Sequence, residues 1–444
     1  MSGIAEILVN YGFKVSGSDL KLNSSCDRLK SLGAEIFSGH ATENLPKSAS
    51  LLVYSSAVNF ENPEVKEAIK RNLPVIRRAE VLAELMRLSY GLAVAGSHGK
   101  TSTTSMIAAI LEQAGLDPTV IIGGQVKSLG SGAKFGKGDF LVAETDESDR
   151  SFLLLKPTMA VVTNIDTEHL TAYHSFAELQ KSFHDFLTAV PFYGLAVLCI
   201  DDPKVRDLAA EYKGRRVTYG ISPDANLTAK NIKHVRMNSS YDVYLAEEKI
   251  MSVNLPIPGL HMVVNSLAAI AIALELDIKP EVIAKGLNLF SGVKRRLEVI
   301  GEVDGITIMN DYGHHPTEIR ATLNALRSGF GKDIGNLHVI FQPHRYSRTK
   351  DCFADFIEAF KDCDNLLMTD IYAASEEPIP GITGAILLEA VSHSSKAFIE
   401  APEQALNILL PTLKRGDLVL CLGAGSVGAL PEMFLAGLEA KKAA

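Results

Sequence analysis

The amino-acid sequence predicts an α/β fold built from largely parallel sheets. Short apolar runs alternate with longer segments of helical period almost throughout the chain, which is the pattern of parallel strands joined by crossover helices. The chain has 444 residues, and at ~150 residues per domain this length suggests about three domains. The strand candidates also fall into three blocks, so we predict domains at residues 1–88, 89–295 and 296–444.

Each block can be followed along the chain. The first contains strands with helices between them, of which NPEVKEAIKRN is one. Its predicted strands are FKVSGSD, AEIFSGH and LLVYSSAV. The second block opens near Tyr90 with buried strands and continues, from RVTYGIS to KIMSVNLP, with a stretch that we predict to be antiparallel. Its buried-strand candidates are GLAVAG, DFLVAE, MAVVTNI and GLAVLCIDD. The third block begins near Arg296 and alternates again. Its predicted strands are GITIMND, LHVIFQP, NLLMTDIY, KAFIEA and DLVLCLG.

Composition excludes several classes of protein. Hydrophobic residues make up 47% of the chain and charged residues 22%, which is ordinary for a globular protein. The net charge of -8 gives no electrostatic footprint for nucleic acid. Five scattered cysteines without a CxxC pair indicate neither a disulfide framework nor a zinc site, and they fit a reducing cytosol. The longest apolar stretch, around NSLAAIAIALEL, is shorter than the ~20 residues of a membrane span. We therefore expect a soluble cytoplasmic protein with no nucleic-acid or membrane partner.

A glycine-rich loop, GSHGKTS, follows the first strand of the second block. The full GxxxxGK[ST] pattern would need glycine at position 94, where the chain has Val94, so the match is to a shorter GxxGK[ST] form. The context nevertheless favours a phosphate loop, because an apolar strand precedes it and a helix follows. Lys100 would then meet the terminal phosphates and Thr101 a magnesium ion. The alternative is a glycine-bearing turn with an exposed lysine.

Two other strands of this block end in groups that a magnesium nucleotide would need. DFLVAE delivers Glu144, and MAVVTNI delivers Asn164 and then His169. Because the carboxyl ends of parallel strands line one crevice, we expect these side chains to converge on the glycine-rich loop. Taken singly, the segment around Glu144 is also typical of a solvated acidic loop, and His169 of a hydrogen-bonded loop histidine.

Three other motifs have alternative explanations. GAGSVG matches a dinucleotide fingerprint, but it lies too near the end of this sequence for a second βα unit to follow, so we reject that site. The adjacent His314 and His315 are unsuited to chelating one ion, and Pro316 after them indicates a shaped turn. QPHRYSRT places Arg345 and Arg348 after a strand, where they form either a carboxylate clamp or a solvent-facing basic turn.

Seven segments taken in order resemble the Mur ligase family over nearly the whole chain. They are GSHGKTST, AETDESDRSF, TNIDTEH, GLHMVVNSLAAIA, VKRRLEVIGE, NDYGHHPTEI and FQPHRYSRT. The resemblance implies an N-terminal Rossmann-like domain that binds a UDP-sugar, a central P-loop ATPase-like domain and a C-terminal Rossmann-like domain that brings the amino acid. It implies ATP and Mg²⁺ as cofactors. The implied reaction joins L-alanine to the lactyl carboxylate of UDP-N-acetylmuramate through an acyl phosphate, a cytoplasmic step of peptidoglycan synthesis.

The resemblance also implies roles for individual residues. The implied catalytic residues are Lys100, Glu144 and His169. The implied Mg²⁺ ligands are Thr101, Glu144 and His169. The implied ATP-binding residues are Gly96, Ser97, His98, Gly99, Lys100, Thr101, Ser102, Asn164, His261, Asn265, Arg296 and Asp311. The implied alanine pocket contains Tyr312, His314, His344, Arg345 and Arg348.

The chain departs from the family pattern in places. Met262 replaces the first asparagine of the HNxxN segment, and Lys181 is out of register for a carbamylated lysine, so we expect no carbamate. The sequence opens at the MSG end of the family's GxGGxGM loop, so we expect weakened UDP-sugar binding. The alternatives are a ligase that recycles a tripeptide onto the same UDP-sugar, from which FQPHRYSRT distinguishes this chain, and an inactive nucleotide-binding fragment. We expect a monomer or homodimer.

Overall fold

The computed structural model describes residues 1–55, 57–123, 132–167 and 173–443. The chain divides into two compact units. Unit 1 contains Met1–Lys230, Val243–Met251 and Val264–Ser291. Unit 2 contains Asn231–Asp242, Ser252–Val263 and Gly292–Ala444. Within the described residues, no helix has both the length and the apolar character needed to cross a membrane. The five cysteines are buried thiols.

The start of unit 1 consists of short parallel strand pairs with helices beside them. The strands are β1 (Ser16–Asp19), β2 (Glu35–Ser38), β3 (Leu52–Tyr54) and β4 (Val75–Arg77). The helices are α1 (Ser2–Asn10), α2 (Ser24–Ser31), α3 (Pro63–Lys70) and α4 (Arg78–Arg87). β1 pairs with β2, and β3 pairs with β4. Asn62 caps α3 by accepting from the backbone N–H groups of Glu64 and Val65, as asparagine does at helix starts. The strands and helix predicted here are confirmed, and β4 is additional.

A ten-stranded sheet follows. Its strands are β5 (Tyr90–Ala95), β6 (Thr119–Ile121), β7 (Ala133–Lys134), β8 (Phe140–Glu144), β9 (Met159–Val162), β10 (Leu195–Cys199), β11 (Arg216–Gly220), β12 (Leu227–Val235), β13 (Asn238–Leu245) and β14 (Glu248–Leu255). The associated helices are α5 (Lys100–Gln113), α6 (Phe176–Thr188), α7 (Pro203–Glu211), α8 (Leu260–Glu275) and α9 (Pro280–Asn288). The spatial order is β14-β13-β12-β11-β10-β9-β5-β8-β6-β7.

Parallel pairing runs through the middle of this sheet. β5 lies between β8 and β9 and is parallel to both. At one edge, β6 and β7 pair antiparallel. The prediction that RVTYGIS opens an antiparallel stretch is wrong, because β11 is parallel to both β10 and β12. The pairing of β10 with β11 follows from α7, which connects them, because a crossover helix returns the chain in the same direction.

The interior of unit 1 is apolar and tightly filled. The middle of β5, from Leu92 to Ala95, is at most 1% exposed. The rings of Phe183 and Phe186 each lie 5.3 Å from the ring of Phe152, a spacing at which aromatic rings attract each other. This core fixes the carboxyl ends of β5, β8 and β9 with respect to one another.

Unit 2 contains a six-stranded sheet. Its strands are β15 (Glu298–Val303), β16 (Ile306–Asp311), β17 (Leu337–Phe341), β18 (Asn365–Met368), β19 (Lys396–Phe398) and β20 (Leu418–Leu422). Its helices are α10 (Pro316–Phe330), α11 (Tyr346–Asp351), α12 (Phe353–Phe356), α13 (Gly384–Ala390), α14 (Gln404–Leu409) and α15 (Leu430–Ala443). The order is β15-β16-β20-β17-β18-β19.

All pairs in this sheet are parallel except the hairpin of β15 and β16. The five predicted strands are confirmed. β15 was not predicted, although the Asp304-Gly305 dipeptide that forms the hairpin turn is a recognised sequence signal. The third predicted block therefore has a strand before GITIMND.

Candidate active site

The loop from Gly96 to Gly99 joins β5 to α5 and approaches its neighbours very closely. Gly96 has φ +129° and Gly99 has φ +83°, values that side chains disfavour. A Cβ on Gly96 would lie 2.1 Å from Thr163 Oγ1, and one on Gly99 would lie 2.6 Å from Asn265 Oδ1. Both positions therefore require glycine. The predicted residue Asn265 lies beside the loop, at the start of α8.

Groups that follow β9 hold the loop backbone. The Asn164 side chain accepts from His98 N at 2.8 Å and donates to His98 O at 3.1 Å. Thr163 Oγ1 donates to the same carbonyl at 2.6 Å. Ser97 Oγ accepts from Asp166 N at 2.8 Å, and Asp166 Oδ2 lies 3.0 Å from His98 Nε2. The sequence predicted Asn164 at this place but missed Thr163 and Asp166.

Oxygen atoms of Thr101 and Glu144 meet at the first turn of α5. Thr101 Oγ1 donates to both carboxylate oxygens of Glu144, at 3.0 and 2.9 Å, and Gly123 N donates to Glu144 Oε2 at 2.9 Å. A hydroxyl and a carboxylate are the hard oxygen ligands that Mg²⁺ prefers. The donor set therefore fits a magnesium ion. Ser102 is buried in the same turn, and His169 lies outside the described residues.

The Lys100 ammonium group is held by the loop and by a buried acid. Its Nζ donates to Gly96 O at 2.5 Å, to Ser97 O at 3.2 Å and to Glu147 Oε1 at 2.8 Å. Glu147 is 2% exposed. Burial raises the pKa of Glu147 to about 7, although the neighbouring Lys100 charge opposes the rise. Glu147 was not predicted as a site residue, because the sequence does not distinguish it from the other acids of AETDESD.

A separate set of charges surrounds the end of β16 in unit 2. Asp311 accepts from Leu297 N and Gly313 N, both at 2.7 Å, and burial raises its pKa. Arg296 Nη1 lies 3.2 Å from Glu318 Oε1, and Glu318 Oε2 accepts from His314 N at 3.0 Å. The structure thus brings Asp311, Arg296 and His314 together through a short chain of polar contacts.

Aromatic rings and guanidinium groups lie beside these charges. The Arg295 and Arg296 guanidinium carbons lie 4.9 and 5.3 Å from the centre of the Tyr312 ring, within cation–π range. Burial and the nearby Arg296 charge lower the pKa of His261 to about 4. His261 is therefore neutral at pH 7.

The residues that follow β17 form the next part of this edge. The His344 ring lies 5.8 Å from the His314 ring and is stacked on Tyr372, with centroids 5.6 Å apart. Arg348 Nη1 lies 3.4 Å from His344 Nδ1. Burial lowers the pKa of His344 to about 4, and the neighbouring His314 and arginines act in the same direction. His344 is therefore neutral at pH 7, beside two permanent cations.

Two residues after β18 complete this arrangement. Arg345 Nη1 lies 3.8 Å from Glu376 Oε1, and Ser347 N donates to Glu376 Oε2 at 3.0 Å. Tyr372 and Glu376 were missed, although Tyr372 ends the predicted strand NLLMTDIY and Glu376 follows it. β20 is parallel to both β16 and β17, and β17 is parallel to β18. The carboxyl ends of these strands therefore lie at one edge of the sheet, and the rule that ligands bind at this edge could have found both residues.

Unit 1 also contains a cavity of about 430 Å³ near the start of α1. Its lining includes Gly3, Ser25, Arg77, Arg78 and Gly123. Two guanidinium groups beside a helix start are suited to an anionic ligand. The cavity is therefore a candidate site in unit 1 for an anionic ligand.

Comparison with known proteins gives matches along the chain. Residues 1–90 match the model "Mur ligase family, catalytic domain", residues 94–273 match "Mur ligase middle domain", and residues 295–425 match "Mur ligase, glutamate ligase domain". The UDP-N-acetylmuramate--L-alanine ligase of Geobacter sp. (strain M21) is 50% identical over 100% of this chain and 96% of that protein. The enzyme of the same name from Acidobacterium capsulatum is 49% identical over 99% of this chain and 96% of that protein.

Solved structures show the same architecture. The UDP-N-acetylmuramate-alanine ligase MurC from Thermotoga maritima superposes with a TM-score of 0.84 at 26% identity, over 99% of this chain and 97% of that one. The murein peptide ligase mpl from Psychrobacter arcticus 273-4 superposes with a TM-score of 0.70 at 23% identity, over 99% and 96% of the two chains. This second likeness concerns the fold alone.

Proposed function

The chain belongs to the Mur ligase family, and we propose that it joins L-alanine to the lactyl carboxylate of UDP-N-acetylmuramate at the expense of ATP. The observation that carries the proposal is the 50% identity, over the whole chain, with a ligase named for these two substrates. The family is ATP-dependent, and the glycine-rich loop with Lys100 is suited to bind the phosphates of a nucleoside triphosphate. The product is an intermediate of peptidoglycan synthesis.

The reaction has two steps. A carboxylate oxygen of UDP-N-acetylmuramate attacks the γ-phosphorus of ATP, which releases ADP and forms an acyl phosphate. The amine of L-alanine then attacks the carbonyl carbon and loses a proton, the C–O bond to phosphate breaks, and inorganic phosphate leaves with its electron pair. The first step is needed because a carboxylate has no adequate leaving group until it is phosphorylated.

We assign the phosphoryl-transfer step to the loop residues of unit 1. Lys100 stabilises negative charge on the transferred group, since an ammonium ion within reach of a developing anion lowers its energy. Thr101 and Glu144 would hold Mg²⁺, which neutralises phosphate charge when it is bound. Backbone N–H groups in the first turn of α5 are suited to the phosphates. Asn164 positions the loop through its hydrogen bonds to His98, and Asn265 lies beside Gly99.

Some assignments stay predictions from the resemblance. His169 would share a second Mg²⁺ with Glu144. The nucleotide roles of His261, Arg296 and Asp311 belong to this group as well. So do the domain boundaries at 1–88, 89–295 and 296–444.

We assign the amino acid to the edge of unit 2 that carries Arg345 and Arg348. A free amino acid presents a carboxylate, and two guanidinium groups are suited to hold it. Tyr312, His314 and His344 complete the pocket. Because the pKa of His344 is lowered to about 4, its ring is neutral at pH 7. It therefore does not compete with Arg345 and Arg348 for the carboxylate of the amino acid.

We assign the UDP-sugar to the cavity beside α1, where Arg77 and Arg78 are part of the lining. Diphosphate groups are recognised by guanidinium groups and helix starts. We also propose a cytoplasmic location, because five buried cysteine thiols suit a reducing compartment.

Phosphate release tests the proposed reaction. Purified protein is given ATP, Mg²⁺ and UDP-N-acetylmuramate, with L-alanine, with the tripeptide L-Ala-γ-D-Glu-meso-diaminopimelate, or with neither. We expect release with L-alanine and a product mass equal to UDP-N-acetylmuramoyl-alanine. Release with the tripeptide alone would assign the recycling reaction instead.

Substitutions in the loop test the assigned site. Lys100→Ala and Glu144→Ala should each lower kcat by about 100-fold or more, because each removes charge stabilisation from phosphoryl transfer. Glu178→Gln is a matched control, since this carboxylate pairs with Arg150 and not with the loop. Near-parental turnover by either loop variant at saturating ATP would refute the assignment.

A further inference from the structure

Glu147 is a buried carboxylate whose side chain contacts the loop lysine. Its Oε1 accepts from Lys100 Nζ at 2.8 Å, and the side chain is 2% exposed. No group among the described residues donates a hydrogen bond to its Oε2. Its backbone is fixed as well, because the buried hydroxyl of Tyr173 donates to Glu147 O at 2.6 Å. The carboxylate is therefore held in place and faces Lys100.

This arrangement is costly unless the lysine is present. A buried charge with an unsatisfied oxygen destabilises the fold, and a nearby opposite charge offsets part of that cost. Glu147 is separate from the Thr101–Glu144 cluster, which has its own contacts. Stability alone does not explain the Lys100–Glu147 pair, because replacing both ions of a buried pair by apolar side chains of similar volume is often neutral or stabilising.

The same contact competes with phosphate binding. The Lys100 ammonium donates back to Gly96 O and Ser97 O of its own loop as well as to Glu147. An N–H group that donates to a carboxylate cannot donate to a phosphate oxygen at the same time. The triphosphate of ATP must therefore draw the Lys100 ammonium away from the Glu147 carboxylate. This carboxylate is buried, and among the described residues no group donates to its Oε2.

We propose that Glu147 is a positioning residue for Lys100 that restrains the ammonium group against the loop, weakens the binding of ground-state ATP, and keeps the ammonium aimed during phosphoryl transfer. The inference rests on the proposed function, in which Lys100 serves ATP. It goes further by giving the lysine a counter-ion that acts on affinity and turnover in opposite directions. Only interactions that strengthen in the transition state raise kcat.

A double-mutant cycle tests the proposal directly. Calorimetric titration with Mg²⁺·ATP is carried out on the full chain, on Glu147→Gln, on Lys100→Met and on the double variant. We expect Glu147→Gln to tighten ATP binding by about threefold to tenfold in the parent and by less than about twofold in the Lys100→Met background. The kcat of Glu147→Gln should fall by about tenfold. Glu178→Gln should change neither quantity by more than about twofold.

A conservative variant separates positioning from simple structural support. Glu147→Asp keeps the charge but withdraws it from Lys100 by about one C–C bond length, ~1.5 Å. We expect its ATP affinity and its kcat to lie between those of the parent and those of Glu147→Gln. A purely structural role would instead lower affinity and turnover together. If Glu147→Gln does not fold, parental values for Glu147→Asp would by themselves overturn the proposal.

The outcomes distinguish this inference from the proposed function. Equal tightening in the parent and in the Lys100→Met background, or weaker ATP binding by Glu147→Gln, would overturn the inference alone. If Lys100→Met leaves ATP affinity and turnover unchanged, the assignment of the loop itself fails, and the proposed function with it.

Discussion

Replacement of Gly96 by alanine probes how tightly the nucleotide loop is fitted to its support. Gly96 has φ +129°, and strain in such a conformation costs about 1–3 kcal/mol for other residues. The added Cβ would also lie 2.1 Å from Thr163 Oγ1, 3.0 Å from Asn164 O and 3.1 Å from Asn164 N. Overpacking of this kind costs about 1–3 kcal/mol. Together the two effects lower the free energy of unfolding by about 2–6 kcal/mol.

Gly115→Ala supplies the matched control. Gly115 also has a positive φ, +76°, but a Cβ there would meet no heavy atom within 4 Å. This variant carries the backbone strain without the clash, and should cost about 1–2 kcal/mol. Urea unfolding gives the comparison, and hydrogen exchange of peptides that cover β5, α5 and β9 locates the loss in unit 1.

A rescue experiment isolates the clash. Thr163→Ala removes the Oγ1 atom, so it should be less destabilising in the Gly96→Ala background than in the parent, with a coupling of about 1 kcal/mol or more. ATP affinity of Gly96→Ala should fall by about tenfold or more, because Thr163 and Asn164 hold the loop at His98. If Gly96→Ala were as stable as Gly115→Ala and bound ATP normally, the close approach would not constrain the loop.

Two further predictions concern unit 2. Replacing Arg345 or Arg348 by alanine should raise the KM for L-alanine by about tenfold or more, because the lost contact is to the amino acid's carboxylate, while the KM for ATP changes little. The control is Arg320→Ala, at an exposed arginine that donates to Asp355 O. Equal rises in KM for both substrates would contradict the carboxylate clamp. The pKa of His261 is lowered from 6.5 to about 4 by burial and by Arg296, so the unfolded chain takes up a proton below pH 6.5 before the folded chain does. Stability from this group is complete above pH 6.5 and is lost progressively as pH falls from 6.5 to about 4. Thermal unfolding should therefore show a smaller drop in Tm between pH 7 and pH 5 for His261→Gln than for the parent, and parallel curves would refute the shift.

The parts of the site that the sequence predicted are those set by short-range pattern. Gly96, Lys100 and Thr101 stand at fixed spacing between a strand and a helix, and Glu144 ends the strand beside β5. The rule that parallel strands end at one edge then brings Glu144 to Thr101 without knowledge of any contact.

The parts that were missed depend on packing between distant segments. Glu147 differs from the acids around it only in burial, which Tyr173 and Lys100 create from other parts of the chain. Asp146, one residue earlier, is exposed, and its side chain accepts from Ser148 N. The direction of β11 was mispredicted because alternation of apolar residues reports exposure of a strand's faces and carries no information on the direction of its neighbours.

The buried cysteines allow local opening of each unit to be measured by the rate of thiol modification. Cys26 and Cys199 lie in unit 1, and Cys352, Cys363 and Cys421 lie in unit 2. Burial raises the pKa of Cys199 and of Cys363 to about 12, so the reactive thiolate is scarce while each thiol stays covered. A thiol reagent such as iodoacetamide therefore modifies each cysteine at the rate at which its own surroundings open. Peptide mapping after timed alkylation would measure the rate of local opening in unit 1 and in unit 2 separately, in one sample and without an engineered label.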